Sequence, residues 1–551
     1  MTLLKPIVFR PARITLFALA FAALTHVRAA ETVPINEVSG PFEPSWESLK
    51  QYQCPEWFRD AKFGIWAHWS AQCVPEQGDW YARKMYIQGE HDYDYHVEHY
   101  GHPSKVGFKE IDAAWHAEHW NPDKLMALYK RAGAKYFVAL ANHHDNFDCY
   151  DSKYQPWNSV NIGPHKDIVG GWAKAARKKG LRFGVTVHAA RAWKWYEVAQ
   201  GSDTNGPLAG VPYDGTLTKA QGKGTWWEGY DPQDLYAQNH PVGAPPSAEY
   251  MEKFFNRTID LVDKYRPDLL YFDDAVLPFA KFSDVGLRIA AHYYNANGRW
   301  HQGRNEAVMN TKGLKEAQRQ SLVWDIERGK STRIEPFVWQ TDTCIGNWHY
   351  SRSLYERHGY KSAEAVVQML ADIVSKNGNL LLDVPVRGDG TIDEDEIKIL
   401  EDLAGWMKVN SSAIFGTRPW RVHGEGAPEQ PVVKLSLSER TARPYTEEDI
   451  RFTTKEDTLF AIGMAWPSSG KLLIKTLASG SEPENIRKLQ LLGSRKKVAW
   501  TRTAAGLEVT LPKPPHVTMN QTLVSPKYAG LEVTLPKVSH GQFPFVLKIT
   551  K

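Results

Sequence analysis

NPDKLMALYKRAGAKYFVALANHHDNF, residues 121–147, is the stretch whose reading decides the fold. Asn121 stands where an N-cap belongs, and Pro122 opens the helix, because a proline there forgoes an N–H that would lack a partner anyway. Leu125, Leu128 and Tyr129 fall on one helical face, and Gly133 stops the helix. Lys135 to Ala141 follows as a short apolar, β-rich run that leads into His143 and His144. The same unit recurs three times. Asp167 to Gly180 leads into Leu181 to Val187, Ser247 to Pro267 into Asp268 to Phe272, and Ser362 to Gly378 into Asn379 to Val384. Further strands at Phe63 to Ala67, Ala307 to Met309 and Leu322 to Trp324 bring the number near eight. Continuous apolar strands alternating with helices predict a parallel sheet covered on its outside. A (β/α)8-like, TIM-type barrel fits better than a doubly wound sheet, because no glycine-rich phosphate turn follows the first strand.

Working outward, each strand ends in chemistry. His68, the pair His143 and His144, His188, Asp273, and Asp325 with Glu327 follow five separate strands. In such barrels the C-terminal strand ends form the mouth, so these groups are aimed at one place. Side chains alternate along a strand, so Asp273 and Asp274 are expected to face opposite ways, and His143 and His144 to diverge unless the strand end is irregular. Residues 76–118 and 197–247 read as long loops rich in Trp, Tyr, His, Gly and Pro, the composition of a functional rim.

The ends of the chain differ from its middle. Lys5, Arg10 and Arg13 precede an apolar run from Ile14 to Leu24 and small residues at Ala29 and Ala30, the order of a cleavable secretory signal. That run is too short to span a bilayer, so the expected mature protein is secreted or periplasmic, with no membrane partner after cleavage. Beyond Trp420 the pattern changes to short alternating stretches, Val432 to Leu437, Leu459 to Met464 and Lys471 to Ile474, which predict a C-terminal β-sandwich domain. The organisation is therefore signal 1–30, barrel 31–420 and sandwich 421–551. AGLEVTLPK occurs at both 505–513 and 529–537, a local duplication rather than a solenoid. With 67 Lys and Arg against 63 Asp and Glu, the charge of +4 argues against nucleic acid or an anionic membrane as partner. Cys54, Cys73, Cys149 and Cys344 contain no CxxC pair, which argues against structural zinc and leaves a Cys54–Cys73 disulfide or four free thiols open. The 21 Trp and 24 Tyr suit either sugar stacking or the core of a large barrel.

Breaking a glycosidic bond needs two carboxyls across the anomeric carbon, one ionised and one protonated. Asp273 and Glu327 can supply them from different strand ends. At these residues the chain resembles glycoside hydrolase family 29, the α-L-fucosidases. WFRDAKFGIWAHW at 57–69, GDWY at 78–81, AGAKYFVALANHHDNF at 132–147, GPHKDIVG at 163–170 and KKGLRFGV at 178–185 follow the family's order. DLLYFDD at 268–274, NGNLLLDVPVRGDG at 377–390 and AIFGTRPW at 413–420 complete it, covering roughly residues 45–420. The resemblance implies a retaining exo-hydrolase of terminal α-L-fucose, acting on fucosylated oligosaccharides or glycans without cofactor or metal. It puts Asp273 in the nucleophile's place, His68, His143 and His144 on the sugar hydroxyls, and Trp80 in the same pocket. WDIERG at 324–329 resembles the acid-bearing segment, with Glu327 as the acid and Asp325 and Glu335 as rivals, and WQTDTCIGNWHY at 339–350 resembles the stretch after it, with Trp348 lining the pocket. His188 joins them by its place at a strand end. Departures from the family pattern are Asp79 for Glu, Asn142 and Asn146 for Lys and Gly, and Lys312 for Arg. Two other readings compete. One is a sugar-binding protein without turnover; the other is a metal-dependent barrel hydrolase with His68, His143, His144, Asp145 and Asp273 as ligands.

Overall fold

The computed structural model describes residues 37–427, 443–512 and 543–551. The signal segment, Val432 to Leu437 and the second AGLEVTLPK copy lie outside those residues. Eight parallel strands close into a barrel in chain order: β1 Phe63–Ala67, β2 Tyr136–Asn142, β3 Arg182–Val187, β4 Leu269–Ala275, β5 Val308–Lys312, β6 Val323–Asp325, β7 Trp339–Cys344 and β8 Gly378–Asp383, with β8 pairing back onto β1. Seven of these fall on the expected runs. The strand β7 does not, because WQTDTC carries four consecutive polar residues, 340–343, and lacks the apolar run that marks the others. Its polar side chains point into the barrel, where Gln340 and Asp342 find partners on facing strands.

The expected caps are present: Asn121, Asp167, Ser247 and Ser362 each accept a backbone N–H in the first turn of helices Pro122–Arg131, Ile168–Lys178, Ala248–Tyr265 and Ala363–Ser375. The last of these stops differently from the expectation. Asn377 takes the left-handed conformation (φ +73°), and Gly378 is already the first residue of β8, where a Cβ would meet the ring of Trp339. Helices Val285–Trp300 and Glu394–Asn410 complete the outer layer; neither follows from the repeated unit. Residues 76–118, expected as loop, fold into short helices Tyr81–Lys84, His91–His99 and Phe108–Ala114. Their polar sequences carry no apolar stripe long enough to be seen. Instead they are tied down by buried acids: Asp214 accepts from the Tyr86 hydroxyl at 2.6 Å and from Lys109 at 2.9 Å, and Asp203 from Tyr93 at 2.7 Å and from Tyr213 at 2.7 Å.

Register explains why the mouth is where it is. Gly64 on β1 pairs with Tyr136, Thr186 on β3 with Tyr271, and Tyr271 with Asn310 on β5. These residues share one inward phase, and stepping two residues along each strand reaches His188, Asp273 and Lys312 at the mouth, where the β4–β5 register slips so that Lys312 pairs with Ala275. Lower down, the Tyr136 ring crosses the barrel to place its hydroxyl 3.0 Å from Gln340 Oε1. Gly64 permits this, because a Cβ there would sit 2.3 Å from a Tyr136 ring carbon. The tryptophan count also divides. Trp66, Trp69, Trp115, Trp157, Trp172 and Trp339 are fully buried, whereas Trp80 and Trp226 remain 40% and 48% exposed.

The C-terminal strands are β9 Arg418–Glu425, β10 Ile450–Lys455, β11 Thr458–Gly463, β12 Lys471–Ile474, β13 Lys488–Leu491, β14 Ala499–Thr503, β15 Gly506–Thr510 and β16 Phe545–Thr550. They form a five-stranded sheet, β13-β16-β11-β10-β9, facing a three-stranded one, β12-β15-β14, around Phe452, Leu472, Leu507 and Leu547. A buried charge cluster fastens this unit to the barrel: Asp372 receives Arg451 Nε at 2.5 Å and Lys376 Nζ at 2.8 Å. Burial opposes that charge, but Lys376, Arg451 and Lys330 hold the Asp372 carboxyl well below the usual range. Among the described residues no helix is long and apolar enough to cross a membrane, and all four cysteine thiols are free.

Candidate active site

The barrel mouth brings together charged groups from three strand ends. Asp273, near the end of β4, accepts from Lys312 Nζ at 2.5 Å on one oxygen and lies 3.2 Å from His144 Nε2 and 3.4 Å from His188 Nδ1 on the other. Lys312 Nζ also donates to Glu327 Oε2 at 2.6 Å. One ammonium therefore bridges both carboxyls, and the facing oxygens stand no further apart than those two bonds laid end to end, about 5 Å. Asp274 turns away, toward Arg191 Nε at 3.6 Å, as alternation requires.

The two carboxyls are tuned in opposite directions. Burial alone would raise Asp273, but Lys312 and the bonds from His144 and His188 hold it well below the usual carboxylate range. Glu327, a third exposed at the rim, is raised: burial leads, Asp342 and Asp273 add to it, and Lys312 only partly opposes it. Burial pushes Asp274 up to about 6 despite Arg191. Of the rival acids, Asp325 is shut inside the barrel, where Gln340 Nε2 donates to it at 2.7 Å. Glu335 lies at the opposite end of the barrel, its backbone bonded to Lys376 just ahead of β8 and its carboxyl to Ser331 and Arg319.

A floor of imidazoles completes the site. The rings of His143 and His144 lie 4.4 Å apart and both face the mouth. The expected divergence fails because β2 ends irregularly: its register with β3 slips between Leu140 and Asn142. Asn142 then fastens the chain by accepting from the N–H groups of His188 and Ala189, each at 3.1 Å. His68 lies 5.2 Å from His188 and 5.1 Å from the Trp348 ring, and its backbone N–H donates to Asp383 at 2.9 Å. Burial drives His68 and His143 well below the ordinary imidazole value and takes His188 down to about 4, although Asp273 pulls His188 back up. Near neutral pH these three rings are uncharged, so each offers one donor and one acceptor, the pairing a sugar hydroxyl needs.

Trp348 forms an apolar wall against Trp66, with Arg328 over its ring at 5.0 Å. Asp79 accepts the His349 N–H at 2.9 Å. Trp80 sits farther out at the rim, 6.2 Å from Trp195 and held in the left-handed conformation at φ +69°. Several groups were given no role from sequence. Lys312, noted there only as a departure from the family pattern, is one, although it ends its strand in charge as the others do. Gln72, which bonds His143 Nδ1 at 2.8 Å, and His349, whose ring is 4.8 Å from that of His143, arrive from connecting segments with no periodic signal. Among the described residues two groups have the donors for a metal ion, His68 with His143 and His188, and His144 with His188 and Asp273. In the second, Lys312 already places a cation on Asp273, which opposes another positive ion there.

A closed barrel whose mouth pairs a carboxyl held ionised with one pushed toward its acid form, over neutral imidazoles and indole walls, defines a class: the barrel glycoside hydrolases. Residues 30–412 match the family model for α-L-fucosidase, and residues 443–524 that for the α-L-fucosidase C-terminal domain. The chain belongs to the α-L-fucosidase family. Human tissue α-L-fucosidase is 26% identical over 500 residues, spanning 89% of this chain and 92% of the relative, and the mouse enzyme is 25% identical over 492 residues, spanning 86% and 91%. Thermotoga maritima α-fucosidase in complex with a mechanism-based inhibitor superimposes with a TM-score of 0.68 at 26% identity, covering 93% of this chain and all of that one. The same enzyme in complex with fucose gives 0.65 at 26% identity, covering 92% and 100%.

Proposed function

We propose that this chain removes terminal α-L-fucose from oligosaccharides or glycoconjugates with retention of configuration, through a covalent fucosyl-enzyme on Asp273. The observation that carries this reading is the Lys312 bridge, which joins an Asp273 held well below the usual carboxylate range to a Glu327 that burial, Asp342 and Asp273 raise against the pull of the same lysine. The facing oxygens, at most about 5 Å apart, lie well inside the roughly 6.5–9.5 Å of inverting hydrolases, which favours the closer spacing of retaining ones. Asp273 attacks the anomeric carbon while Glu327 gives its proton to the departing oxygen. Glu327, now ionised, then takes a proton from a water whose oxygen attacks the anomeric carbon and breaks its bond to Asp273, which releases fucose and restores both carboxyls. His68, His143, His144 and His188 hold the hydroxyls, the Trp348 wall takes the methyl group that distinguishes fucose from galactose, and Asp79 and Trp80 border the sugar from the rim.

That the Thermotoga relative forms complexes with fucose and with a mechanism-based inhibitor supports fucose as the sugar. The domain division at 420/421 and export by the N-terminal signal belong to the same proposal. The decisive experiment replaces Asp273 with Gly and supplies azide with a nitrophenyl α-L-fucoside. Turnover is expected to collapse and to return with azide, giving β-fucosyl azide; a variant as active as the parent removes Asp273 from its role. A parent protein that binds fucose yet turns over none of several fucosides would instead be a non-catalytic binder.

A further inference from the structure

The acid assigned above stands on irregular backbone. Glu327 lies two residues past β6, on the connection 326–338 that leads to β7, and no helix stands on that connection. Such a segment has no ladder of backbone bonds of its own, so its shape depends on the separate bonds it makes to its surroundings. Toward the barrel these go to β7. The Ile326 N–H donates to the Gln340 carbonyl at 2.9 Å, the Arg328 N–H to that of Asp342 at 2.8 Å, and the Thr341 hydroxyl to that of Gly329 at 2.9 Å. Arg328 turns the chain in the left-handed conformation at φ +48° and donates to Cys344 Sγ at 3.1 Å.

Lys330, three residues past Glu327, reaches toward the C-terminal unit instead. Its ammonium donates to the Tyr445 hydroxyl at 2.8 Å, lies 5.0 Å from the centre of that ring and stands 3.5 Å from Asp372 Oδ2. Tyr445 leads into β10, and Asp372 belongs to the helix Ala363–Ser375. Both partners are themselves fixed. Tyr445 precedes a turn closed by the buried Asp449, which accepts from the Thr446 N–H at 2.7 Å and from Arg443 at 2.6 Å. Arg451 and Lys376 hold Asp372, and the Arg451 guanidinium also lies 5.3 Å from the centre of the Tyr445 ring. The segment bearing the acid is thus bonded both to β7 and to the C-terminal unit. The reaction above uses none of Lys330, Tyr445 and Asp372.

We propose that the C-terminal unit serves catalysis: Lys330, clamped between Tyr445 and Asp372, is a positioning residue that fixes the β6–β7 connection and so aims Glu327 at the departing oxygen. The inference rests on Glu327 as the acid. A general acid must stand within hydrogen-bond reach of the oxygen it protonates, and a misplacement of about 1 Å can cost roughly 10²-fold. Asp273 stands on β4, held by its own ladder with β3 and β5, so loss of the clamp falls on proton donation rather than on attack.

The test compares a fucosyl disaccharide, whose leaving sugar must be protonated, with a nitrophenyl α-L-fucoside, whose leaving group needs little help. Asp372 keeps Arg451 and Lys376 when Lys330 is lost, so Lys330→Met strands no buried charge. For this variant kcat is expected to fall about tenfold on the disaccharide and to stay within about twofold on the nitrophenyl substrate. Tyr445→Phe removes a single hydroxyl and should show the same selectivity at about threefold. Lys330→Arg keeps the charge and should stay within about twofold of the parent on both substrates. A purely structural role would reduce the folded fraction and lower both activities alike; equal losses, or no loss on either, overturn the proposal. In a Glu327→Gln background, Lys330→Met should add less than about twofold on the disaccharide, and a further tenfold loss there refutes an action through Glu327. Glu327→Gln by itself separates the two layers of argument. If it shows the selectivity and the Lys330 and Tyr445 variants do not, the clamp alone is overturned. If it lowers both substrates alike, the assignment of the acid falls, and the clamp's role with it.

Discussion

Replacing Lys312 with Met removes the cation shared by both carboxyls while keeping a side chain of similar length. Its ammonium lies 2.5 Å from Asp273 Oδ1 and 2.6 Å from Glu327 Oε2, and all three groups are at least partly enclosed. With charge centres about 3 Å apart and an effective dielectric of ~20, the attraction to Asp273 is roughly 5 kcal/mol. His144 and His188 still face the other oxygen at 3.2 and 3.4 Å, so the net loss on the nucleophile is set at about 3–4 kcal/mol, or roughly 10²–10³ in kcat/KM. The sign follows from the ionisation. Lys312 depresses Asp273, so its removal raises that carboxyl, and activity fails at higher pH as the solution is acidified. Lys312→Arg keeps the charge and is expected to lose less than about tenfold. The assay is kcat/KM for a nitrophenyl α-L-fucoside between about pH 4 and 8. A Lys312→Met enzyme within about threefold of the parent, with its acid limb unmoved, would refute the idea that this bridge sets the nucleophile.

Three further outcomes are expected. Glu327→Gln should cost about 10²–10³ in kcat on natural glycans but far less on a nitrophenyl glycoside, whose leaving group needs little protonation; equal losses on both would remove Glu327 from acid catalysis. The folded value of His188, about 4, lies below the unfolded one of about 6.5, so its stabilisation is complete above pH 6.5 and is lost as pH falls toward 4. His188→Gln should therefore flatten the fall in unfolding free energy over that window by up to about 3 kcal/mol, and an unchanged dependence of Tm on pH counts against a buried neutral ring. Gly64→Ala places a methyl 2.3 Å from the Tyr136 ring and should destabilise by about 1–3 kcal/mol in denaturant unfolding; a neutral result would mean that the ring has room to move.

Much of the barrel was legible in the chain because its units are local. A cap, an amphipathic face, a stop and an apolar run each depend on neighbours within about twenty residues, and four such units fell where expected. The strand β7 escaped because its polar residues are satisfied by partners more than a dozen positions away, Gln340 by Asp325 and Asp342 by Tyr271. The rim helices escaped for the same reason: buried acids rather than a stripe of apolar residues hold them.

The sequence by itself determined which strand ends carry His68, His143, His144, His188, Asp273 and Glu327, because a strand's length and phase are properties of a few adjacent residues. Only the tertiary structure decided that the two neighbouring imidazoles converge, through a slipped register that no alternation rule contains. It alone also decided that one lysine bridges both carboxyls. Ionisation depends on burial and on charges a few ångströms away, and those distances exist only once eight separate stretches have closed into one ring.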